Sequence, residues 1–286
     1  MLFDLLSQHP DLTRTNGYPD GEDHEGWVKH GKCVMAGIGN VHSSKYGNGI
    51  NGFHYCLQMT GRDVTPKIVD SMRRYYWEDV LEQNAAKRVL NKQPHLSNKL
   101  DYVLEIFPDA KIVHIVRDCQ PMVASWLAVM GEHPSLVVYL PEEKNPCLWL
   151  LPKPDDETAL AALAKHPRFF PGGGERLWVE YWRKTNVEIA RQMDGRLDQL
   201  CTLRYEDLVT KPAAVLNEIA KFGELSPFRF ETAHIQTNTK EKHRHLLSND
   251  LRDAIRVETR DARRLFGYGR RLPWSRRAPR LLELGP

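Results

Sequence analysis

The sequence predicts an α/β protein, a three-layer sandwich with helices packed on a central parallel sheet. Three observations carry this expectation. Strand-like runs occur at 88–91, at 112–116 and before Arg204. A helix-like segment follows each run. The repeated strand–helix order implies parallel strands joined by right-handed crossovers.

Taken in order, "LFDLLSQHPDL" places Leu2, Phe3, Leu5 and Leu6 ahead of His9-Pro10, and reads as the last turns of an apolar helix stopped by proline. Residues 13–63 are rich in glycine and read as loop. "TPKIVDSMRRYYWEDVLEQN" is a helix with Thr65 as cap and Pro66 in the first turn, and with Ile68, Met72, Tyr75, Tyr76 and Val80 on one side. After the first strand and Lys92-Gln93-Pro94-His95, a helix runs through Leu100, Val103, Leu104 and Phe107.

"KIVHIVRDCQPMVASW" is the next strand and helix, with the helix starting near Gln120 or Pro121. The prolines and the "PGGGE" of residues 131–175 mark an insertion or lid. "RLWVEYWRKTNVEIARQM" is an amphipathic helix. "LDQLCTLRYEDLVTKPAAVLNEIAKF" is a third strand, a charged turn and a helix, and "SNDLRDAIRVETRDARRLFGYG" is a final helix ended by Gly267. No repeat or boundary divides the chain, so residues 1–286 are expected to form a single domain.

Composition bounds the function. Apolar residues make up 41% and charged residues 27%, as in soluble globular proteins. A net charge of +3 is too small to argue for bulk nucleic-acid binding. Arg263, Arg264, Arg270, Arg271, Arg276, Arg277 and Arg280 concentrate charge at the C-terminal end, where a solvated tail over 269–286 is the expectation. Five scattered cysteines without a CxxC pair argue against disulfides and structural zinc, and fit a reducing cytoplasm. No apolar run reaches the roughly 18 residues of a membrane span, and the start carries no signal-peptide pattern.

The chemistry is expected where strands end, because α/β sites lie outside the carboxyl ends of the strands. Arg117 stands at such an end, and Ser125 lies eight positions on, inside the next helix. A guanidinium fork, a hydroxyl and a helix N-terminus suit a phosphate. A plain Arg117–Asp118 turn with a helix-embedded serine fits the same residues.

"KIVHIVRDCQPMVASW" resembles the 3′-phosphate-binding segment of the sulfotransferases, which use 3′-phosphoadenosine 5′-phosphosulfate (PAPS). "LRYEDLVTKPAAVLNEIAKF" is similar to the family segment whose tyrosine lies beside the adenine, "VLNKQPHLSNKL" to its lysine–histidine element, and "LFGYG" to its usual ending. The similarity covers about residues 85–127 and 200–268.

The resemblance implies a P-loop NTPase-like sulfotransferase fold. It implies sulfuryl transfer from PAPS to a hydroxyl or amine of a small-molecule, lipid or glycan acceptor, with adenosine 3′,5′-bisphosphate released. Arg117 and Ser125 would hold the 3′-phosphate and Tyr205 the adenine, with a core tyrosine as the alternative. Lys240, Lys242 and Arg244 would close over the nucleotide, or form a solvated loop. His95 is one base for the acceptor proton, although the family pattern is lysine–any–histidine and Pro94 intervenes here; a capping histidine fits as well. Glu22, in "GYPDGEDHEGW" with Asp23 and Glu25, is the rival base, and Lys92 an electrostatic helper. A metal site at that acidic stretch is less favoured than a solvated turn, and sulfuryl transfer requires none. Trp27, Phe53, Tyr55, Trp149 and Trp178 would line an acceptor pocket or pack the core.

The family's glycine- and serine-rich loop, which grips the 5′-phosphosulfate, is not found in residues 1–286. "LFDLLSQHPDL" looks like the helix that follows it, and "GIGNVHSSKYGNGINGF" comes too late to replace it. The expectation is therefore a shortened start lacking the first strand, whose loss would leave backbone groups unpaired at about 1–3 kcal/mol each. The alternative is a whole chain that keeps only the 3′-phosphate site. Residues 1–286 alone are expected to transfer poorly, and ready PAPS-dependent transfer would contradict that.

Overall fold

The computed structural model describes residues 1–15, 23, 25–31, 59–93, 96–97, 99–132, 136–139, 149–152, 169–171, 175–235 and 243–268. The chain divides into two compact units. The first comprises Met1–Cys33, Met59–Ile115 and Gly195–Thr237; the second comprises Val34–Gln58, Val116–Asp194 and Asn238–Pro286.

The first unit opens with helix α1 (Leu2–Leu6), which buries Phe3, Leu5 and Leu6. Three residues past the helix end, His9 is buried beside Phe228 and Phe230. Its Nδ1 accepts the Asp11 amide at 3.0 Å, so Nε2 holds the proton and donates to the Ser226 carbonyl at 2.9 Å. Strand β1 (Leu12–Thr13) then pairs in parallel with β2 (Arg88–Val89), Leu12 opposite Arg88 and Thr13 opposite Val89.

The Asp11 carboxylate anchors this corner. It accepts the Ser226 amide at 2.7 Å and pairs with Lys87 at 3.0 Å. The Ser226 backbone N–H, then the Ser226 hydroxyl and Lys87, hold the carboxyl well below the usual range. A carboxyl so depressed contributes stability above its ordinary pKa and loses it as pH falls toward the folded value. Asp11→Asn should therefore melt below wild type at neutral pH, with the gap narrowing continuously as pH falls below about 4. A gap that stays constant in thermal melts below that pH would contradict this.

Helix α2 (Pro66–Arg74) starts as expected: the Thr65 side chain accepts the Ile68 amide at 3.3 Å and Pro66 sits in the first turn. It continues as a π-helical stretch, Tyr75–Glu82. Met72, Tyr75, Tyr76 and Val80 are buried together with Trp27, Met59, and Tyr102, Val103 and Ile106 of α3 (Leu100–Ile106). Ile68 packs against this cluster, completing the apolar face read from the sequence. Strand β3 (Ile112–Val116) pairs with β7 (Leu200–Arg204). What reads as a charged turn after β7 is a short helix, α6 (Tyr205–Thr210), where Arg204 forks onto Asp207 at 2.8 and 2.9 Å. Helix α7 (Pro212–Phe222) follows.

The second unit is built on α4 (Cys119–Glu132), α5 (Glu175–Gln192), α8 (Asn249–Glu258) and α9 (Arg260–Leu265). Their core holds Val116, Cys119, Val123, Ala124, Trp178, Val179, Trp182, Leu251, Ile255 and Phe266, among others. Trp27 and Trp178 are thus core residues.

Two expectations are corrected. Residues 131–175 are not only loop: β4 (Leu136–Tyr139) pairs antiparallel with both β5 (Trp149–Pro152) and β6 (Phe169–Pro171). Strands of three or four residues between prolines give too short a run for a periodic signal. The final helix is two, interrupted at Thr259, whose buried hydroxyl donates to the Ile255 carbonyl at 2.5 Å. Strand β2 falls within the expected strand run 88–91, and its parallel partner β1 lies where the sequence reads a helix end and loop; the fold is α/β. No described helix is long and apolar enough to cross a membrane.

Candidate functional site

The junction from β3 to α4 carries Arg117, Asp118 and Ser125. Val116 is buried, and Arg117 and Asp118 are half-buried as the chain turns into α4. α4 begins at Cys119, so Ser125 lies in its second turn, half-buried beside buried Val123 and Ala124. The first amides of this 14-residue helix stand next to Arg117, and the positive end of a helix favours an anion there.

Side chains remote in sequence hold the junction. Tyr268 donates its hydroxyl to the Val116 carbonyl at 2.9 Å, and Trp182 donates its indole N–H to the Arg117 carbonyl at 2.7 Å. Arg263 forks onto both Asp118 oxygens at 3.0 Å each. Arg263 therefore does not belong to a solvated tail. Arg264 does face water, and residues 269–286 lie outside those described. Burial, then the nearby Asp118 charge, pushes the Cys119 thiol well above its ordinary range, which makes it a packing residue.

"LFGYG" shows why it can do this. Gly267 adopts φ 73°, the left-handed conformation that glycine takes most readily. The Gly267 amide donates to the Arg264 carbonyl at 3.0 Å and the Tyr268 amide to the Arg263 carbonyl at 2.7 Å. These two bonds close the helix end in a Schellman turn. The turn carries Phe266 into the core, edge-on to Trp182, and leads to Tyr268.

The other expected site residues divide. Tyr205 is the first residue of α6, directly after β7, and half-buried. Lys92 is half-buried just past β2. Arg244 is exposed in a short 3-10 turn, Arg244–Leu246, and its carbonyl accepts from Arg252 at 3.1 Å. His95, Glu22, Lys240, Lys242, Phe53 and Tyr55 lie outside the described residues.

Asp23 departs from the solvated turn expected of its stretch. It is 1% exposed. Its carboxylate accepts the Tyr76 hydroxyl at 2.5 Å, the Gly26 amide at 2.9 Å and the Asn91 side-chain amide at 3.3 Å. The Trp27 indole donates to the Asn91 carbonyl oxygen at 3.2 Å. With its lone pairs so engaged, Asp23 ties the π-helical turn Glu25–His30, through Gly26, to the residue that precedes Lys92. Local patterns could not expose this network, because its members stand 53 and 68 positions apart. Among the described residues no group of His, Cys, Asp and Glu is placed to hold a metal ion.

The sulfotransferase family model matches residues 1–138. Among solved structures, the sulfotransferase domain from the curacin biosynthetic pathway aligns at 16% identity and a TM-score of 0.44, covering 96% of this chain and 88% of that one. No curated protein matches significantly. The matched residues 1–138 run from α1 past Arg117 and Ser125, and over that stretch, just under half of the chain, the protein is similar to the sulfotransferase family.

Proposed function

We propose that the protein moves a sulfuryl group from PAPS to a hydroxyl or amine of a small-molecule, lipid or glycan acceptor. The observation that supports this best is the β3–α4 junction inside the family-matched segment. An arginine at the strand end, the first amides of α4 and a serine in its second turn offer an anion a fork, oriented dipoles and a hydroxyl.

In this reading Arg117 and Ser125 bind the 3′-phosphate, and Tyr205 contacts the adenine. Lys240, Lys242 and Arg244 are the basic residues that close over the nucleotide. The acceptor oxygen or nitrogen attacks sulfur in line, the sulfur–oxygen bond to the 5′-phosphate breaks, and adenosine 3′,5′-bisphosphate leaves. Glu22 or His95 takes the acceptor proton, and Lys92 offsets charge growing on the leaving phosphate. Positioning and charge stabilisation carry most of such a transfer, as in phosphoryl transfer.

Calorimetric titration tests the donor class. Adenosine 3′,5′-bisphosphate should bind at least about tenfold tighter than 5′-AMP, the difference made by charge-assisted bonds to one more phosphate. Equal affinities would remove the 3′-phosphate site and the proposal with it. Bisphosphate selectivity supports both a sulfotransferase and a relative that keeps only the 3′-phosphate site; poor transfer from labelled PAPS by residues 1–286 is expected of either, and ready transfer decides for the enzyme.

A further inference from the structure

A carboxylate directly beside a phosphate site is a liability, because like charges repel across a weakly screened interior. Asp118 is such a carboxylate, the next residue after Arg117. It is bound on both oxygens by Arg263, and the two side chains are only 23% and 20% exposed. The same C-terminal turn also pins the backbone: Tyr268 holds the Val116 carbonyl, and Phe266 packs on Trp182, which holds the Arg117 carbonyl. One short segment, from Arg263 to Tyr268, thus neutralises the charge next to Arg117, holds the peptide unit before it and packs on the tryptophan that holds the one after it.

We propose that Arg263 is a positioning residue for nucleotide binding: it cancels Asp118 and, through the turn it opens, holds the Val116–Asp118 backbone that carries Arg117. This rests on reading Arg117 as a 3′-phosphate ligand. A purely structural ion pair would affect stability and every ligand alike. A neutralising pair affects ligands according to the charge they bring to Arg117, and its effect disappears when Asp118 loses its own charge.

The experiment titrates wild type, Arg263→Gln, Asp118→Asn, the double variant and Arg117→Ala with adenosine 3′,5′-bisphosphate and with 5′-AMP at low salt. Arg263→Gln should weaken the bisphosphate on the order of tenfold and 5′-AMP much less, because the exposed Asp118 charge repels the extra phosphate. Adding Asp118→Asn should restore the bisphosphate to within about threefold of wild type, which is the coupling expected of directly paired residues. Asp118→Asn alone should bind the bisphosphate at least as tightly as wild type, and this variant is decisive if Arg263→Gln fails to fold. Equal losses for both ligands, no rescue in the double variant, or weaker binding in Asp118→Asn would each overturn the proposal. If Arg117→Ala loses bisphosphate selectivity while Arg263→Gln keeps it, only the role of Arg263 falls. If Arg117→Ala keeps the selectivity, the 3′-phosphate reading falls first and this proposal with it.

Discussion

Asp23→Ala should destabilise the first unit by about 2–4 kcal/mol, because several buried neutral donors lose their shared acceptor. Three donors converge on this carboxylate: the Tyr76 hydroxyl, the Asn91 amide and the Gly26 backbone N–H. Truncation strands all of them in a region where Asp23 and Tyr76 are nearly inaccessible to water. Each stranded donor costs about 1–3 kcal/mol, although part is recovered where Asn91 and Tyr76 still bond each other at 3.1 Å. Tyr76→Phe should cost less, and the two changes should not add, because they remove the same bond. The pocket also has no room to spare: a Cβ on Gly26 would lie 2.6 Å from an Asp23 oxygen and 2.8 Å from the Tyr76 hydroxyl. Chemical denaturation of the three variants measures this. A loss below about 1 kcal/mol for Asp23→Ala would show that water replaces the carboxylate and that no closed network exists.

Trp178→Ala should cost about 3–5 kcal/mol in the second unit, as expected when a large buried aromatic is cut back. Trp178 has no accessible surface, and it stacks on Trp126 with ring centres 4.5 Å apart and planes 9° from parallel. Trp126 is the residue after Ser125, so the stack braces the second turn of α4. The Trp178 indole N–H finds no acceptor among the described residues. That sharpens the expectation for Trp178→Phe: it loses area but also removes a buried donor with no acceptor among the described residues, so it should cost less than about 2 kcal/mol. Comparable losses for Phe and Ala would indicate that the indole N–H does have a partner.

Legibility followed distance along the chain. The Thr65 cap, Pro66 and the buried face of α2 were readable because their signals lie within a few residues. So was the passage from β3 through Arg117 into α4, since an apolar β-branched run, a charged pair and a proline mark it locally. The restraints on that junction were not readable. Arg263 and Asp118 are 145 positions apart, and arginines near a chain end look like a solvated tail until folding places one of them on a carboxylate. Asp11 and Ser226 are 215 apart, so nothing local marked the Asp11 corner. "LFGYG" carries a family resemblance but no local signal of its physical role, in which a left-handed glycine closes α9 and delivers Tyr268 to Val116. The strands β4 to β6 were hidden by composition, because prolines around short apolar runs read as loop.

The central claim is that β3 brings Arg117, and α4 brings Ser125, to the 3′-phosphate of a nucleotide. The ratio of dissociation constants for 5′-AMP and adenosine 3′,5′-bisphosphate, measured by calorimetry on Arg117→Ala beside wild type, tests it most directly. A wild-type preference for the bisphosphate that falls to about one in the variant, while 5′-AMP affinity changes little, is the result expected when a single charged fork is lost from one phosphate. A preference that survives the substitution would contradict the claim and place the 3′-phosphate elsewhere on the protein.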